Sequence, residues 1–212
     1  MNRLTVFVAC LTVVPAAAPA QEFRDVDARR ALYNKAYCAA RHDSEDARKL
    51  FATPPGSKEE AKLLRSLNQM CAFPVYGGPA LEAEGQLMRG VIAEALYDQF
   101  HQKKGFVDPK AAPFGNLSPE VIGALGAKGQ ASLAGLDFAQ CIVAAGPDRV
   151  DALLNSNSVT GEQDKAFEQL QPYLGPCLPK GAQVNFSKLV LRGLLAEAAY
   201  RSLYFTAAAG KK

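Results

Sequence analysis

A ten-residue segment occurs twice in this sequence, at a spacing of 103 residues. Residues 88–97 read MRGVIAEALY and residues 191–200 read LRGLLAEAAY, with six identical positions and apolar residues at the other four. Cys38 and Cys141 have the same spacing. We therefore predict a duplicated chain, with helical repeat 1 over residues 21–103, helical repeat 2 over residues 118–212, and a linker at residues 104–117. The linker contains two prolines and two glycines and has no hydrophobic period.

Helical periodicity runs through both predicted repeats. Apolar residues recur at spacings of three and four, whereas no alternating strand pattern extends beyond four residues. The sequence therefore predicts an all-α fold in which each repeat is a disulfide-linked four-helix unit. We expect the two units to be arranged about a pseudo-twofold axis, with the two repeated helices meeting at that axis.

Each repeated helix carries one arginine and one glutamate that cannot pair with each other. At about 100° per residue, Arg89 and Arg192 fall within the apolar arc of their helices, while Glu94 and Glu197 project well away from it. A guanidinium removed from water needs acceptors on another element. We therefore expect Arg89 to pair with Glu197 and Arg192 with Glu94, and these four residues are the candidate buried polar or binding residues. The glycine after each arginine would allow close helix contact.

Residues 1–20 resemble a secretory signal peptide. Arg3 precedes an apolar run over residues 4–14, and Ala18-Pro19-Ala20 forms a small-x-small cleavage site. Cleavage near Ala20 would place the protein in the periplasm or outside the cell. It would remove one arginine and one cysteine, so the formal net charge would fall from +3 to +2 and the cysteine count from five to four.

Composition beyond the signal peptide excludes two kinds of partner. No apolar run after residue 14 approaches the roughly 18 residues that a membrane span needs, so we predict no membrane span after signal removal. Basic residues are scattered, and the sequence has no stripe that would follow a phosphate backbone. We therefore predict no nucleic-acid partner, and the natural ligand, a protein or a small molecule, is not encoded in a recognisable motif.

The four remaining cysteines indicate two disulfides in an exported protein. Three connectivities are open, and the repeat favours one bridge in each copy: Cys38 with Cys71 and Cys141 with Cys177. In the chain-entropy model each bridge would contribute about 3–4 kcal/mol. A zinc site formed by Cys38, His42 and Cys71 is an alternative. The second copy has alanine at position 145, where that site would need a histidine.

Catalytic and cofactor motifs are not found in the sequence. It lacks a nucleophile elbow, a metalloprotease helix motif and a phosphate-binding glycine loop. Burial could adapt Glu94 or Glu197 to acid–base chemistry. However, both copies keep this glutamate, and such repetition favours a structural role. We predict no cofactor, no metal and no enzymatic activity.

Two short segments predict where a helix begins, and two tyrosines predict an aromatic face on the first helix. The segments Ser57–Glu60 and Thr160–Gln163 have the pattern of a capping box, in which the first and fourth residues bond each other's backbone. Tyr33 and Tyr37 lie one turn apart on the first helix. Such a pair could stack on a sugar or a peptide, although it is more often part of the edge of a core.

The pattern of cysteine, proline and Arg-Gly-x-x-Ala-Glu-Ala-x-Tyr resembles a group of exported bacterial proteins with no assigned activity. The segment Cys177-Leu178-Pro179-Lys180-Gly181 is also similar to the periplasmic Tai-type immunity proteins, small helical disulfide proteins that block an amidase toxin. Two hypotheses follow. The first is a non-enzymatic helical binding or scaffold protein of the bacterial periplasm, and the alternative is an immunity or inhibitor protein that blocks an envelope enzyme.

Overall fold

The computed structural model describes residues 26–71, 85–104, 117–158, 160–180 and 184–209. The predicted signal peptide and almost all of the predicted linker lie outside these ranges, so both stay predictions. Within the described ranges the chain is helical and contains no strand, which confirms the all-α fold.

The described helices follow one another with short connections. The α-helices are α1 (Val26–His42), α2 (Ser44–Ala52), α3 (Lys58–Met70), α4 (Gly85–Lys104), α5 (Pro119–Ala124), α6 (Gly126–Ala145), α7 (Pro147–Asn155), α8 (Glu162–Leu174) and α9 (Lys188–Ala209). A single 3-10 turn, Gly175–Cys177, follows α8. Helices α1–α4 fall in the predicted repeat 1, and α6–α9 fall in repeat 2.

Helices α4 and α9 form the centre of the molecule. They contact each other more extensively than any other pair of described helices, and α1 covers α4 while α6 covers α9. Because neighbours surround them, both can be apolar on nearly every side, as Ile92 and Leu195 illustrate by being fully buried. The predicted meeting of the two repeated helices is confirmed. The pseudo-twofold relation between the halves stays a prediction.

Glycines set the distance between the two central helices. Gly90 packs on Gly193, and a Cβ atom added to Gly90 would lie 2.6 Å from the Cα of Gly193. Such a separation is too small for any side chain. The close helix contact predicted from these glycines is therefore present, and it brings the neighbouring arginines within reach of the opposite helix.

Two disulfides hold the outer helices. Cys38 on α1 is bonded to Cys71 at the end of α3, and Cys141 on α6 is bonded to Cys177 in the 3-10 turn. This pairing confirms the predicted connectivity. It also rules out the alternative zinc site, because Cys38 and Cys71 have no thiolate to offer a metal.

One predicted capping box is incomplete and the other is wrong. The Ser57 hydroxyl accepts from the Glu60 amide at 3.1 Å, but the Glu60 carboxylate bonds elsewhere. At α8 the N-cap is Gly161, which has no side chain, and the Thr160 hydroxyl accepts from the Glu162 amide at 3.4 Å rather than from the Gln163 amide. The Gln163 amide instead donates to the backbone carbonyl of Thr160 in a tight turn. The backbone N–H of Gln163 therefore has an acceptor in this turn and does not need the Thr160 hydroxyl.

Candidate functional site

The guanidinium of Arg89 joins three elements of the fold. It donates from Nε and Nη2 to the two carboxylate oxygens of Glu197 on α9, at 2.8 Å each. Its Nη1 donates to Glu60 on α3 at 2.8 Å, and Nη2 also donates to the Thr53 carbonyl just after α2. Arg89 is only 2% exposed. The bidentate geometry confirms the predicted pairing of Arg89 with Glu197 and supplies the acceptors that a buried guanidinium requires.

Glu197 is shared between two arginines. Arg201, one turn further along α9, donates to Glu197 Oε1 from Nε at 2.8 Å and from Nη2 at 2.6 Å. Burial alone would raise the pKa of Glu197, but the charges of Arg89 and Arg201 outweigh it and hold that pKa below its ordinary value. Burial also lowers the pKa of Arg201 to about 10. Glu197 is therefore a carboxylate at neutral pH.

Arg192 makes the contact equivalent to that of Arg89 with Glu197, from α9 to α4. Arg192 on α9 donates to Glu94 on α4 from Nε at 3.0 and 3.1 Å and from Nη2 at 2.6 Å. It also donates to the carbonyls of Leu153, Leu154 and Ser156. These carbonyls belong to the end of α7, where helix geometry leaves carbonyls without their usual intrahelical donors, and the Leu153 carbonyl also accepts from the Ser156 amide. Arg192 thus confirms its predicted partner and caps α7 as well.

Sequence reasoning missed two members of the Arg89 cluster, which we define as Glu60, Arg89, Glu197 and Arg201. The sequence predicts Glu60 as part of a capping box, but its carboxylate accepts from the Gly56 amide and from Arg89. Arg201 follows Glu197 by four residues, so the spacing that allows a pair on one helix was present in the sequence. The sequence contains no comparable spacing that links Glu60 to Arg89, because the packing of α3 on α4 brings these two residues together.

Three members of the Arg89 cluster, Glu60, Arg89 and Glu197, line a cleft of about 460 Å³. Its lining comes from the connection between α2 and α3, the start of α3, the first part of α4, the first half of α6 and the middle of α9. We call this space the central cleft, and the residues that line it are Pro55, Gly56, Glu60, Gly85, Gln86, Arg89, Gly90, Lys128, Ala131, Ser132, Leu136, Gly193, Leu194 and Glu197.

A second, smaller cavity of about 280 Å³ lies at the Arg192 and Glu94 pair. Three tyrosines line it, from α1 and α4, together with the segment that follows α7. We call it the tyrosine cavity, and its lining residues are Tyr33, Tyr37, Glu94, Tyr97, Asp98, Leu154, Asn155, Ser156, Asn157, Ser158 and Arg192. The predicted face formed by Tyr33 and Tyr37 is therefore one wall of a cavity.

The described residues contain neither a candidate metal site nor a candidate membrane-spanning helix. No three histidine, cysteine, aspartate or glutamate residues there are grouped so that they could hold a metal ion. None of the described helices has both the length and the apolar character needed to cross a membrane. No protein-family model, curated protein or solved structure matches this chain.

Proposed function

We propose that this chain is an exported, non-enzymatic helical binding protein of the bacterial periplasm, and that its ligand occupies the central cleft. The observation that carries the proposal is the Arg89 cluster, of which Glu60, Arg89 and Glu197 line the cleft. Its charged groups bond one another, so they fix the shape of the cleft before any ligand arrives. A preformed site of this kind binds without a large ordering cost.

The state of Glu197 argues against an enzyme. A general base needs a free lone pair directed at its substrate. Both carboxylate oxygens of Glu197 accept hydrogen bonds from guanidinium groups. Its lowered pKa also prevents it from acting as a proton donor at neutral pH. Glu94 is bonded to Arg192 in a similar way, so both candidate acids are engaged in structural contacts.

The size and lining of the central cleft suit a small molecule with an apolar part. Ligand pockets commonly measure about 300–1,000 Å³ and combine apolar walls with a few polar groups. Leu136 and Leu194 supply apolar surface, and Lys128 supplies a positive charge. Export is supported by the two disulfides, since such bonds persist in oxidising compartments, and by the predicted signal peptide.

Internal duplication is part of the proposal. The two arginine–glutamate pairs cross between α4 and α9 in both directions, and Gly90 meets its counterpart Gly193. These contacts are what two copies related by a pseudo-twofold axis would make. They support a common origin for the central cleft and the tyrosine cavity.

The proposal is tested by filling the cleft with a side chain. Ala131 lines the cleft on the exposed side of α6, whereas Ala144 is exposed on α6 and does not line it. Wild-type protein, Ala131→Trp and Ala144→Trp are incubated with a small-molecule extract of the bacterial envelope, washed, and analysed by mass spectrometry. We expect a compound that is retained by the wild type and by Ala144→Trp and is lost from Ala131→Trp.

Two results would contradict the proposal. One is that every retained compound is also retained by Ala131→Trp. The other is that the wild type converts a compound in the extract to a product and that this turnover disappears in Glu197→Gln. The second result would show an enzyme that uses the cluster.

A second candidate function, the immunity or inhibitor protein, is favoured by helix α5. Val121 and Ile122 are 40% and 37% exposed on this helix, which has no buried residue. Exposed apolar side chains of this kind are used in protein interfaces. A tight complex with an envelope hydrolase that is lost in the Val121→Ser, Ile122→Ser double variant, and kept in Ala131→Trp, would favour this function over the first.

A further inference from the structure

We propose that the ligand of the central cleft is an amphiphilic anion, a monocarboxylate with an unbranched apolar chain. This inference rests on the proposed function, since it names the chemical class of the ligand that would occupy the same cleft. Its support comes from the unused hydrogen-bond donors of the lining, the charge of the lining, the order of residues along α6, the short side chains in this half of the protein and a rigid contact beside Lys128.

Three polar side chains of the cleft have unused hydrogen-bonding groups. They belong to Gln86 in the first turn of α4 and to Lys128 and Ser132 on α6. Within the described part of the chain, these side chains make no hydrogen bond and no ion pair. The Lys128 ammonium has three donors, the Gln86 amide has two and the Ser132 hydroxyl has one. Donors on two helices that face the same cleft suit a ligand whose head group accepts hydrogen bonds.

The charge of the lining favours an anion. Glu60 and Glu197 are the acidic residues of the described lining, and Arg89 donates to both carboxylates. Arg201 donates to Glu197 as well, so two guanidinium groups match the two carboxylates. Lys128 adds a positive charge that no described residue of the lining neutralises. A carboxylate head group is stabilised by this charge, whereas an ammonium head group is repelled.

One face of α6 changes from polar to apolar along the cleft. Lys128, Ser132 and Leu136 follow one another at intervals of four residues, so they lie on the same face of the helix. Lys128 and Leu136 are about 12 Å apart along the helix axis, which is close to the length of an extended chain of eight carbons. Leu194 on α9 adds apolar surface. The carboxylate would therefore lie at Lys128, and the chain would extend towards Leu136 and Leu194.

The other repeat has larger side chains at two positions that correspond to this face of α6. Ser132 and Leu136 lie 103 residues after Arg29 and Tyr33. Both of these larger side chains reach other elements: Arg29 donates to a backbone carbonyl after α7, and Tyr33 donates to a carboxylate of α4. Ser132 and Leu136 are too short to reach across in this way. Their size leaves the space that the ligand would fill.

A contact between two glycines fixes the cleft beside Lys128. Gly129, the next residue on α6, packs on Gly56 in the connection between α2 and α3, and a Cβ atom added to Gly56 would lie 2.7 Å from the Cα of Gly129. Gly56 has a φ of +81°, which glycine adopts without strain. Its amide also donates to Glu60 of the Arg89 cluster. This end of the cleft is therefore preformed, and a ligand binds there without a large ordering cost.

Isothermal titration calorimetry with three probes of equal chain length tests the head group. Octanoate, 1-octanol and octylammonium share an eight-carbon chain and are negative, neutral and positive at neutral pH. We expect saturable binding of octanoate to the oxidised full chain, and at least about tenfold weaker binding of octanol and octylammonium, because neither forms an ion pair with Lys128. Comparable binding of either compound would overturn the inference, as would the absence of saturable octanoate binding.

A shorter carboxylate tests the apolar chain. Hexanoate has the same head group and two fewer methylene groups, and we expect it to bind roughly tenfold more weakly than octanoate, because each buried methylene contributes about a factor of three to four. Equal affinities of the two carboxylates would mean that the chain stays in solvent, and the inference would then be wrong.

Three substitutions locate the head group. Lys128→Gln removes the charge and should weaken octanoate binding about fivefold, whereas Lys128→Arg keeps the charge and should stay within about twofold of the wild type. Lys165→Gln, at an exposed lysine of α8 that does not line the cleft, is the matched control and should bind as the wild type does. Unchanged affinity in Lys128→Gln, or an equal loss in Lys165→Gln, would overturn the inference. The thermal unfolding temperature of each variant shows whether folding has changed.

Ala131→Trp separates the failure of this inference from the failure of the proposed function. This variant fills the cleft, so it should abolish octanoate binding, and binding that persists would overturn the inference. If octanol or octylammonium binds as tightly as octanoate and Ala131→Trp removes that binding, the cleft binds ligands and only the anionic class is wrong. The proposed function fails separately, when every compound retained from the envelope extract is also retained by Ala131→Trp.

Discussion

Gly90 on α4 packs directly against Gly193 on α9, with room for hydrogen atoms alone. A Cβ atom on Gly90 would lie 2.6 Å from the Cα of Gly193, and one on Gly193 would lie 2.9 Å from the Cα of Gly90. Both contacts are with backbone, which cannot rotate away. The spacing of the two central helices, and with it the reach of Arg89 and Arg192, depends on this contact.

We therefore expect Gly90→Ala to destabilise the protein. Overpacking typically costs about 1–3 kcal/mol, and better helix propensity recovers only about 1 kcal/mol of this. The free energy of unfolding in urea measures the effect. Gly123→Ala on α5 is the control, since nothing lies within 4 Å of its added Cβ. An equal effect of the two substitutions would contradict the close contact.

Removing a disulfide should destabilise each half of the protein. Double substitution of Cys38 and Cys71 by serine, or of Cys141 and Cys177, should lower the free energy of unfolding by about 3–4 kcal/mol in the chain-entropy model. Peptide mapping without reduction should recover the two bridges Cys38–Cys71 and Cys141–Cys177. A bridge between the halves would contradict the structure.

Acid should lower the free energy of unfolding by protonating Glu197. Its pKa in the folded protein lies below the ordinary value of 4.5. The resulting stability is fully present above that ordinary value and is lost as the pH falls through the lower, folded pKa. Glu197→Gln should therefore be less stable at neutral pH, and its stability should change less on acidification. Glu45→Gln, at an exposed pair with Lys49, should keep the wild-type dependence on pH.

Alkali should destabilise the protein by ionising the tyrosines of the tyrosine cavity. The pKa of Tyr37 is raised from 10 to about 12, mainly by burial and then by Asp98 and Glu94, and burial also raises the pKa of Tyr33 and Tyr97. Stability from these raised values is present below pH 10 and is lost as the pH rises through the folded pKa values. Ultraviolet titration should show tyrosines that ionise later than free tyrosine. Unfolding by base should bring them back to the ordinary value.

The repeated segment predicted the two central helices of the core and the residues that pair between them. Each residue in one copy has a counterpart in the other, so a partner missing on one helix could be sought on the second. Arg89 and Glu94 face apart on one helix, so an acceptor had to come from the other copy, and Glu197 was the corresponding residue. For these pairs the periodicity of a helix and the burial cost of a charge were sufficient. The disulfides were predicted on another basis, because Cys38 and Cys141 share the spacing of the repeat and the repeat favoured one bridge in each copy.

The residues that were missed depend on information that helix periodicity does not contain. Glu60 reaches Arg89 because α3 packs on α4, and its carboxylate also accepts from the Gly56 amide in the turn before α3. The Thr160 capping box failed because a backbone turn already satisfied the amide of Gln163. Both cavities are formed by loops and helices that are distant in sequence, so neither could be located before the packing of α1, α3 and α6 on the central helices was known.

A double-mutant cycle tests most directly the central claim that Arg89 and Glu197 join α4 to α9. The free energy of unfolding is measured for Arg89→Met, Glu197→Gln and the double variant, and for a second cycle with Glu94→Gln in place of Glu197→Gln. We expect a coupling energy of about 2 kcal/mol between Arg89 and Glu197, and a coupling below about 0.5 kcal/mol between Arg89 and Glu94. A stronger coupling of Arg89 to Glu94, on its own helix, would contradict the account.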